Sequence, residues 1–119
     1  MSIRLDKISA LIKDELSLIF LHEINNPDIG FLTITNVKIT PDLRNAKIYF
    51  SIYEKEKREK TLTKLKEMKA TIRMMLAGRV NYLRHIPELD FFLDETLDYV
   101  EKIEKLFKEI HKNDNENNN

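Results

Sequence analysis

The chain has 119 residues, which is the length of one domain. Its 20 basic and 20 acidic residues cancel to a formal net charge of zero, which excludes a uniformly basic nucleic-acid-binding protein. The absence of cysteine excludes disulfides, thiolate metal sites and cysteine nucleophiles. No segment approaches the roughly 18 consecutive apolar residues of a membrane span. We therefore expect a cytoplasmic protein that does not bind a membrane.

The first half of the chain predicts one helix followed by two strands. Apolar residues recur at helical spacing over residues 5–21, and the helix is expected to end before Pro27, which restricts the residue that precedes it. Alternating, β-branched residues predict strands over 31–40 and 46–53, joined by a turn in which Pro41 occupies a favoured position. Two strands so closely linked favour an antiparallel hairpin with one buried face.

A second helix is predicted in the middle of the chain, because apolar residues over 62–76 are spaced by three and four. Continued without interruption, this helix would place Arg79 in the centre of the apolar face, where burying a charge is costly. We therefore expect the helix to kink or restart near Ala77 and Gly78.

The last third predicts a short strand and a final helix. Alternation over 89–93 indicates the strand, and an apolar stripe over 97–110 indicates the helix, which Asp94 or Thr96 can cap. Since about 30 residues that include a helix separate the second and third strands, their connection is long enough for a crossover.

These elements predict one α+β domain over residues 1–111, with a three-stranded mixed sheet and helices packed on one face. The asparagine-rich residues 112–119 carry almost no apolar side chains, so we expect a disordered tail.

The residues give little support for a catalytic site or a cofactor-binding site. His22, His85 and His111 lie in three separate segments. The only two glycines, Gly30 and Gly78, cannot build a phosphate-binding loop of the dinucleotide or Walker type, nor the Gly-x-x-Gly loop of ordinary K-homology domains. The sequence predicts no enzyme, no cofactor, no bound metal and no small-molecule substrate.

The distribution of charge is more informative than its sum. Residues 55–86 carry ten basic and three acidic side chains, whereas residues 88–119 carry four basic and ten acidic ones. On an uninterrupted second helix, Lys66, Lys69 and Arg73 would form one stripe beside the apolar face. Such a stripe can hold RNA phosphates, and a solvated helix face is the alternative interpretation.

Four stretches in collinear order carry a family resemblance: residues 4–8 (RLDKI), 23–37 (EINNPDIGFLTITNV), 42–49 (DLRNAKIY) and 83–91 (LRHIPELDF). Together they span about residues 4–110, and the chain resembles the bacterial ribosome-binding factor A family. The resemblance implies a type II KH-like fold of order α-β-β-α-kink-α-β-α, in which a helix–kink–helix replaces the Gly-x-x-Gly loop.

The resemblance also implies a function. Family membership would make the chain a monomeric, non-enzymatic assembly factor that binds the immature small (30S) ribosomal subunit and its 16S rRNA, and that assists late maturation, rRNA processing and cold adaptation. The resemblance and the basic stripe together give the residues predicted to contact RNA: Arg4, Lys7, Lys66, Lys69, Arg73, Arg79 and Arg84.

One departure from the family pattern and one alternative function stay open. The family's kink reads Ala-x-Gly, whereas the matching positions here are Met68-Lys69-Ala70, so we expect a bend that is shallower or displaced towards Gly78. The alternative function is an α+β protein-interaction or dimerisation module that adds a partner's strand at a sheet edge.

Overall fold

The computed structural model describes residues 3–24 and 26–117. In chain order, the elements are α1 (Ile3–His22), β1 (Leu32–Ile39), β2 (Asn45–Ile52), a 3-10 turn (Lys55–Lys57), α2 (Arg58–Glu67), α3 (Lys69–Arg79), β3 (Glu88–Leu93) and α4 (Thr96–Asn117). The predicted order of helices and strands is confirmed. None of the described helices combines the length and the apolarity that crossing a lipid bilayer requires.

The three strands form one mixed sheet with β2 in the centre. β1 pairs with β2 in the antiparallel sense, and β3 pairs with β2 in the parallel sense, from Asn45 opposite Glu88 to Phe50 opposite Leu93. Because parallel strands cannot be joined by a tight turn, the chain crosses from β2 to β3 through α2 and α3. The predicted crossover is thus the central connection of the fold.

The core lies on one face of the sheet, beneath α1, α2 and α3. β2 and β3 send alternate side chains to this face, which is the period expected of a half-buried sheet, whereas the buried Ile34 and Val37 of β1 are three residues apart because a bulge lies between them. The buried apolar side chains come from α1, α2, α3, all three strands and the residue that follows α3: Ile12, Leu16, Ile19, Ile34, Val37, Ala46, Ile48, Phe50, Ile52, Leu65, Ile72, Leu76, Val80, Leu89 and Phe91. These side chains form a single cluster.

A β-bulge at Thr35 connects the first strand to the start of α4. The pairing of β1 with β2 shifts between Ile34 and Asn36, which leaves Thr35 as an extra residue. Its hydroxyl donates to Asp94 at 2.6 Å, and this hydrogen bond, with a second from Thr96, lowers the pKa of the Asp94 carboxyl. Of the two predicted caps, Asp94 is the one that accepts the Thr96 N–H at the first residue of α4.

α4 differs from the other helices because its apolar stripe is exposed. An ion pair between Arg58 and Asp98 holds the start of the helix, and the Arg58 guanidinium lowers the pKa of the Asp98 carboxyl. Further along, Val100, Leu106 and Ile110 are all more than two-fifths exposed. The helix continues to Asn117, past the boundary predicted at residue 111, and Asn118 and Asn119 lie outside the described residues. Disorder of residues 112–119 stays a prediction.

The long helical segment is interrupted at Met68, and the prediction of a break near Ala77 and Gly78 is wrong. Met68 has φ −89° and ψ 3°, a conformation open to any L-amino acid, so no glycine is required there. α3 then continues through Gly78 to Arg79. The break thus falls within Met68-Lys69-Ala70, the positions that the resemblance matches with the kink Ala-x-Gly.

We predict that Gly78→Ala stabilises the protein by about 0.5–1 kcal/mol, because an alanine in a helix loses less conformational entropy than a glycine. A Cβ at this position would meet no heavy atom within 4 Å. Chemical denaturation of the variant measures the change in the free energy of unfolding. A destabilised Gly78→Ala variant would contradict an uninterrupted α3.

Gly30→Ala is the matched comparison, and we predict that it destabilises the protein by about 1–3 kcal/mol through overpacking. Its Cβ would lie 2.8 Å from Cγ2 of the buried Ile52 and 2.5 Å from Oε2 of Glu54. That Glu54 oxygen already accepts the N–H of Phe31 at 2.8 Å. The same denaturation experiment should therefore give opposite signs for the two glycines.

Candidate nucleic-acid interface

Arg79 occupies the position that the helical phase predicted, on the side of α3 that faces α1. Its guanidinium lies 3.1 Å from Oε2 of Glu15 and 3.5 Å from Oε1 of Glu23, and its side chain is 28% exposed. The carboxylates of Glu15 in α1 and of Glu23, which directly follows α1, therefore offset the cost of burying this charge, and no break in the helix is needed.

Lys69 and Arg73 are bound to β3 and to the segment that leads into it. Lys69 Nζ lies 3.0 Å from Oδ1 of Asp90. Arg73 donates from Nε to the carbonyl of Pro87 at 3.2 Å and from Nη2 to the carbonyl of Ile86 at 2.7 Å. A fork of two N–H donors on neighbouring carbonyls is geometry that only arginine provides.

The continuous stripe of Lys66, Lys69 and Arg73 is not formed. Met68 interrupts the helix between the first and second of these residues, and the last two side chains turn to β3. Four of the seven predicted RNA-contacting residues remain exposed: Arg4, Lys7, Lys66 and Arg84. Within the described part of the chain, no carboxylate lies within ion-pair distance of these four cations.

Arg4 and Arg84, which are 80 positions apart in sequence, line one groove of about 410 Å³. We call it the Arg4–Arg84 groove. Its apolar lining comes from α1, from the end of β1 and from the residues before β3: Ile8, Ile12, Ile39, Leu43, Leu83 and Pro87. Tyr82 and His85 complete the lining, and no acidic side chain is among the described residues that form it.

The turn between β1 and β2 supplies one wall of the groove in an unusual backbone conformation. Leu43 has φ 62°, in the left-handed region that side chains other than Asn, Asp and Gly rarely adopt. Its N–H donates to the carbonyl of Thr40 at 2.9 Å. The carboxylate of Asp42 accepts the Thr40 hydroxyl at 2.6 Å and the Arg44 N–H at 3.1 Å, and both bonds lower its pKa.

Of the residues that line this groove, the sequence predicted only Arg4 and Arg84 as site residues and missed the others, among them Leu43, Tyr82 and His85. A signal was present for two of them, because the ring side chains of Tyr82 and His85 flank Arg84 in the sequence, and aromatic rings beside arginine are common in RNA-binding surfaces. The sequence carries no comparable signal for Leu43, since a leucine predicts a negative φ.

Comparison with known proteins gives one consistent result. The family model described as ribosome-binding factor A matches residues 4–107. A protein of that name from Thermodesulfovibrio yellowstonii is 37% identical over 113 residues, with 95% of each chain covered. The crystal structure of ribosome-binding factor A from Thermus thermophilus superposes with a TM-score of 0.66 at 24% identity, covering 75% of this chain and 94% of that one.

A second structural match is a homology model of the Thermus thermophilus ribosome binding factor A that was fitted into the cryo-EM map of a 30S complex of that protein. It superposes with a TM-score of 0.63 at 24% identity and covers 73% of this chain and 91% of that one. At this level of identity, both structural matches support the fold.

We predict that Arg73→Lys loosens the segment before β3, because lysine lacks the rigid planar fork from which Nε and Nη2 of Arg73 donate to two neighbouring carbonyls. The variant should lose about 1–2 kcal/mol of unfolding free energy. Amide hydrogen exchange in residues 81–86 should also become faster. Lys66→Gln is the control, since this exposed side chain should change stability by less than about 0.5 kcal/mol. Unchanged exchange in Arg73→Lys would show that the two hydrogen bonds do not hold the segment.

Proposed function

The chain belongs to the ribosome-binding factor A family, and on that premise we propose that it binds the small ribosomal subunit through exposed cations. The observation that carries the proposal is the family match over residues 4–107, which includes most of the ordered domain. A fold neighbour from Thermus thermophilus has been placed in the map of a 30S complex, which supports the small subunit as the partner.

We assign the RNA contacts to the exposed members of the predicted set, Arg4, Lys7, Lys66 and Arg84. An exposed cation without a protein partner can release counterions when it meets a phosphate, and this release supplies much of the affinity for RNA. Lys69, Arg73 and Arg79 instead hold α3 against β3 and α1, because an RNA phosphate would have to compete with the partners that these side chains already have.

The finer parts of the function rest on family membership. We propose that the chain binds 16S rRNA as a monomer in the cytoplasm, assists late maturation and rRNA processing, and supports growth in the cold. Its role in this proposal is to bind and not to catalyse, in keeping with relatives that are named as ribosome-binding factors.

Electroneutrality of the whole chain is compatible with this proposal because the field that RNA meets is local. Surface charges that are separated by more than about 8 Å are largely screened at physiological ionic strength. The acidic residues of α4 therefore weaken the field at Arg4 and Arg84 only if they lie nearby, and no acidic side chain lines the groove among its described residues.

Co-sedimentation with purified small subunits tests the proposal. We predict that the variant Arg4→Gln, Lys7→Gln, Lys66→Gln, Arg84→Gln binds the subunit at least about tenfold more weakly, a loss of about 1.4 kcal/mol. The matched control replaces four exposed lysines of α4, Lys102, Lys105, Lys108 and Lys112, with glutamine. Both variants carry the same net charge, so the control separates position from charge.

The salt dependence of binding gives a second measure. The slope of log K against log salt concentration should become shallower by about 0.7–0.9 for every phosphate contact that is lost, and thus by about 3 in the fourfold variant. If both variants bind the small subunit as tightly as the wild type, the four cations do not contribute to binding.

A second candidate is the interaction module that acts through a sheet edge. The observation that favours it is the pair Leu21 and Phe31, which are 71% and 69% exposed beside a cleft at the outer edge of β1. A molar mass that rises with protein concentration, in the absence of co-sedimentation with small subunits, would support this candidate against the first.

A further inference from the structure

We propose that the Arg4–Arg84 groove binds one unpaired nucleotide of an RNA strand. The base would lie on the apolar lining beside Tyr82, and the adjoining phosphate would lie between the two guanidinium groups. This inference rests on the proposed function and specifies what one part of the RNA surface recognises.

The groove has a size and a lining suited to a base. Its volume of about 410 Å³ falls within the range of small-molecule sites. Its lining includes the fully buried side chain of Ile12. The half-buried Ile8, Ile39 and Leu43 continue this apolar surface. An unstacked base has two apolar faces, so it gains free energy by leaving water for such a surface.

The charge of the groove selects an anion. Arg4 and Arg84 are exposed, and no described acidic residue shares the lining with them. The cleft near the start of α4 differs, because it combines the cations Lys55 and Arg58 with five carboxylates: Glu54, Glu56, Asp94, Asp98 and Glu101. A phosphate would be repelled there and attracted to the Arg4–Arg84 groove.

Tyr82 supplies an aromatic ring next to these cations. Its side chain is 66% exposed, and it lies two residues before Arg84 in the same turn. Stacking of a base on an aromatic ring contributes about 1–3 kcal/mol and is available to all four bases. An aromatic ring beside two guanidinium groups therefore favours a nucleotide over inorganic phosphate or an acidic peptide.

The walls of the groove are fixed before any ligand arrives. The Thr40–Asn45 turn holds Leu43 in its left-handed conformation, and the carbonyl of Arg44 accepts the Glu88 N–H at 2.7 Å, which fixes the turn against the start of β3. Arg73 donates to the carbonyls of Pro87, which lines the groove, and of its neighbour Ile86. A preformed site loses little conformational entropy when a ligand binds.

A tryptophan reporter tests the inference directly, because the chain contains no tryptophan. In the full-length Tyr82→Trp protein, a six-nucleotide single-stranded oligoadenylate should quench the fluorescence in a saturable manner as a base stacks on the indole. Tyr99→Trp on α4 is the matched control, since Tyr99 is 65% exposed and lies outside the groove. The control should show at most a small fraction of the quenching.

Three further probes of the Tyr82→Trp protein identify the ligand. A blunt RNA duplex should not quench its indole, since the bases of a duplex are stacked internally and cannot enter the groove. Adenosine monophosphate should require at least about tenfold higher concentration than the oligonucleotide, because one phosphate makes fewer contacts than several. Inorganic phosphate should leave the fluorescence unchanged. Equal quenching by the duplex, or equal responses of the Tyr82→Trp and Tyr99→Trp proteins, would each overturn the inference.

Two variants in the Tyr82→Trp background test the two halves of the site. Arg84→Gln should weaken binding of the oligonucleotide about tenfold, because one phosphate contact is lost. Leu43→Gly should weaken it through the lost apolar wall, and the fold should be kept because glycine adopts a positive φ without strain. Unchanged affinity of both variants would overturn the proposed placement of base and phosphate.

Co-sedimentation of the same Tyr82→Trp protein with small subunits separates this inference from the proposed function. If the protein binds the subunit but the oligonucleotide leaves the introduced indole unquenched, the groove is not a nucleotide site and the proposed function stands. If neither this variant nor the wild-type protein binds the subunit, the proposed function itself fails.

Discussion

The parallel pairing of β3 with β2 is the constraint on which the rest of the structure depends. A parallel neighbour can be reached only by a crossover, so the chain must leave β2 at Ile52, return over the core and enter β3 at Glu88. The crossover contains α2, the break at Met68, α3 and the turn that precedes β3. This return brings the basic segment 55–86 over the sheet and brings Arg84 next to Arg4.

The crossover also explains why basic residues of one segment have different roles. Side chains of α3 that face the sheet or α1 meet Asp90, Glu15 and Glu23, and there a cation contributes to stability. Side chains that point away from the core, such as Lys66, remain available to a polyanion. The acidic residues of α1 and β3 thus neutralise part of the basic segment, and the neutral sum of charges conceals the exposed remainder.

The sequence predicted the elements well because their signals are local. Periods of two and of three to four gave every strand and helix, and Pro27 correctly indicated that α1 ends before it. The break was misplaced because Gly78 permits a bend without requiring one, whereas Met68 bends the chain with no residue-type signal. The phase of Arg79 was right, but its carboxylate partners lie 64 and 56 positions earlier, beyond the reach of local patterns.

The candidate site was predicted less completely, for the same reason. The exposed cations could be named from charge and from the family resemblance, but the groove between Arg4 and Arg84 exists only because three distant segments meet. Neither the left-handed Leu43 nor the bulge at Thr35 has a sequence signature: the Glu88 N–H holds the turn that contains Leu43 through the carbonyl of Arg44, and Thr35 donates to Asp94. Tertiary contacts, and not propensity, determine these positions.

The break at Met68 bears on how relatives of this chain are detected. The chain breaks at Met68 with a negative φ, and Ala70, the position matched with the family's glycine, lies within α3, so the two helices keep their arrangement without a glycine there. A search that relies on Ala-x-Gly as a fingerprint would therefore overlook descendants that retain the complete architecture.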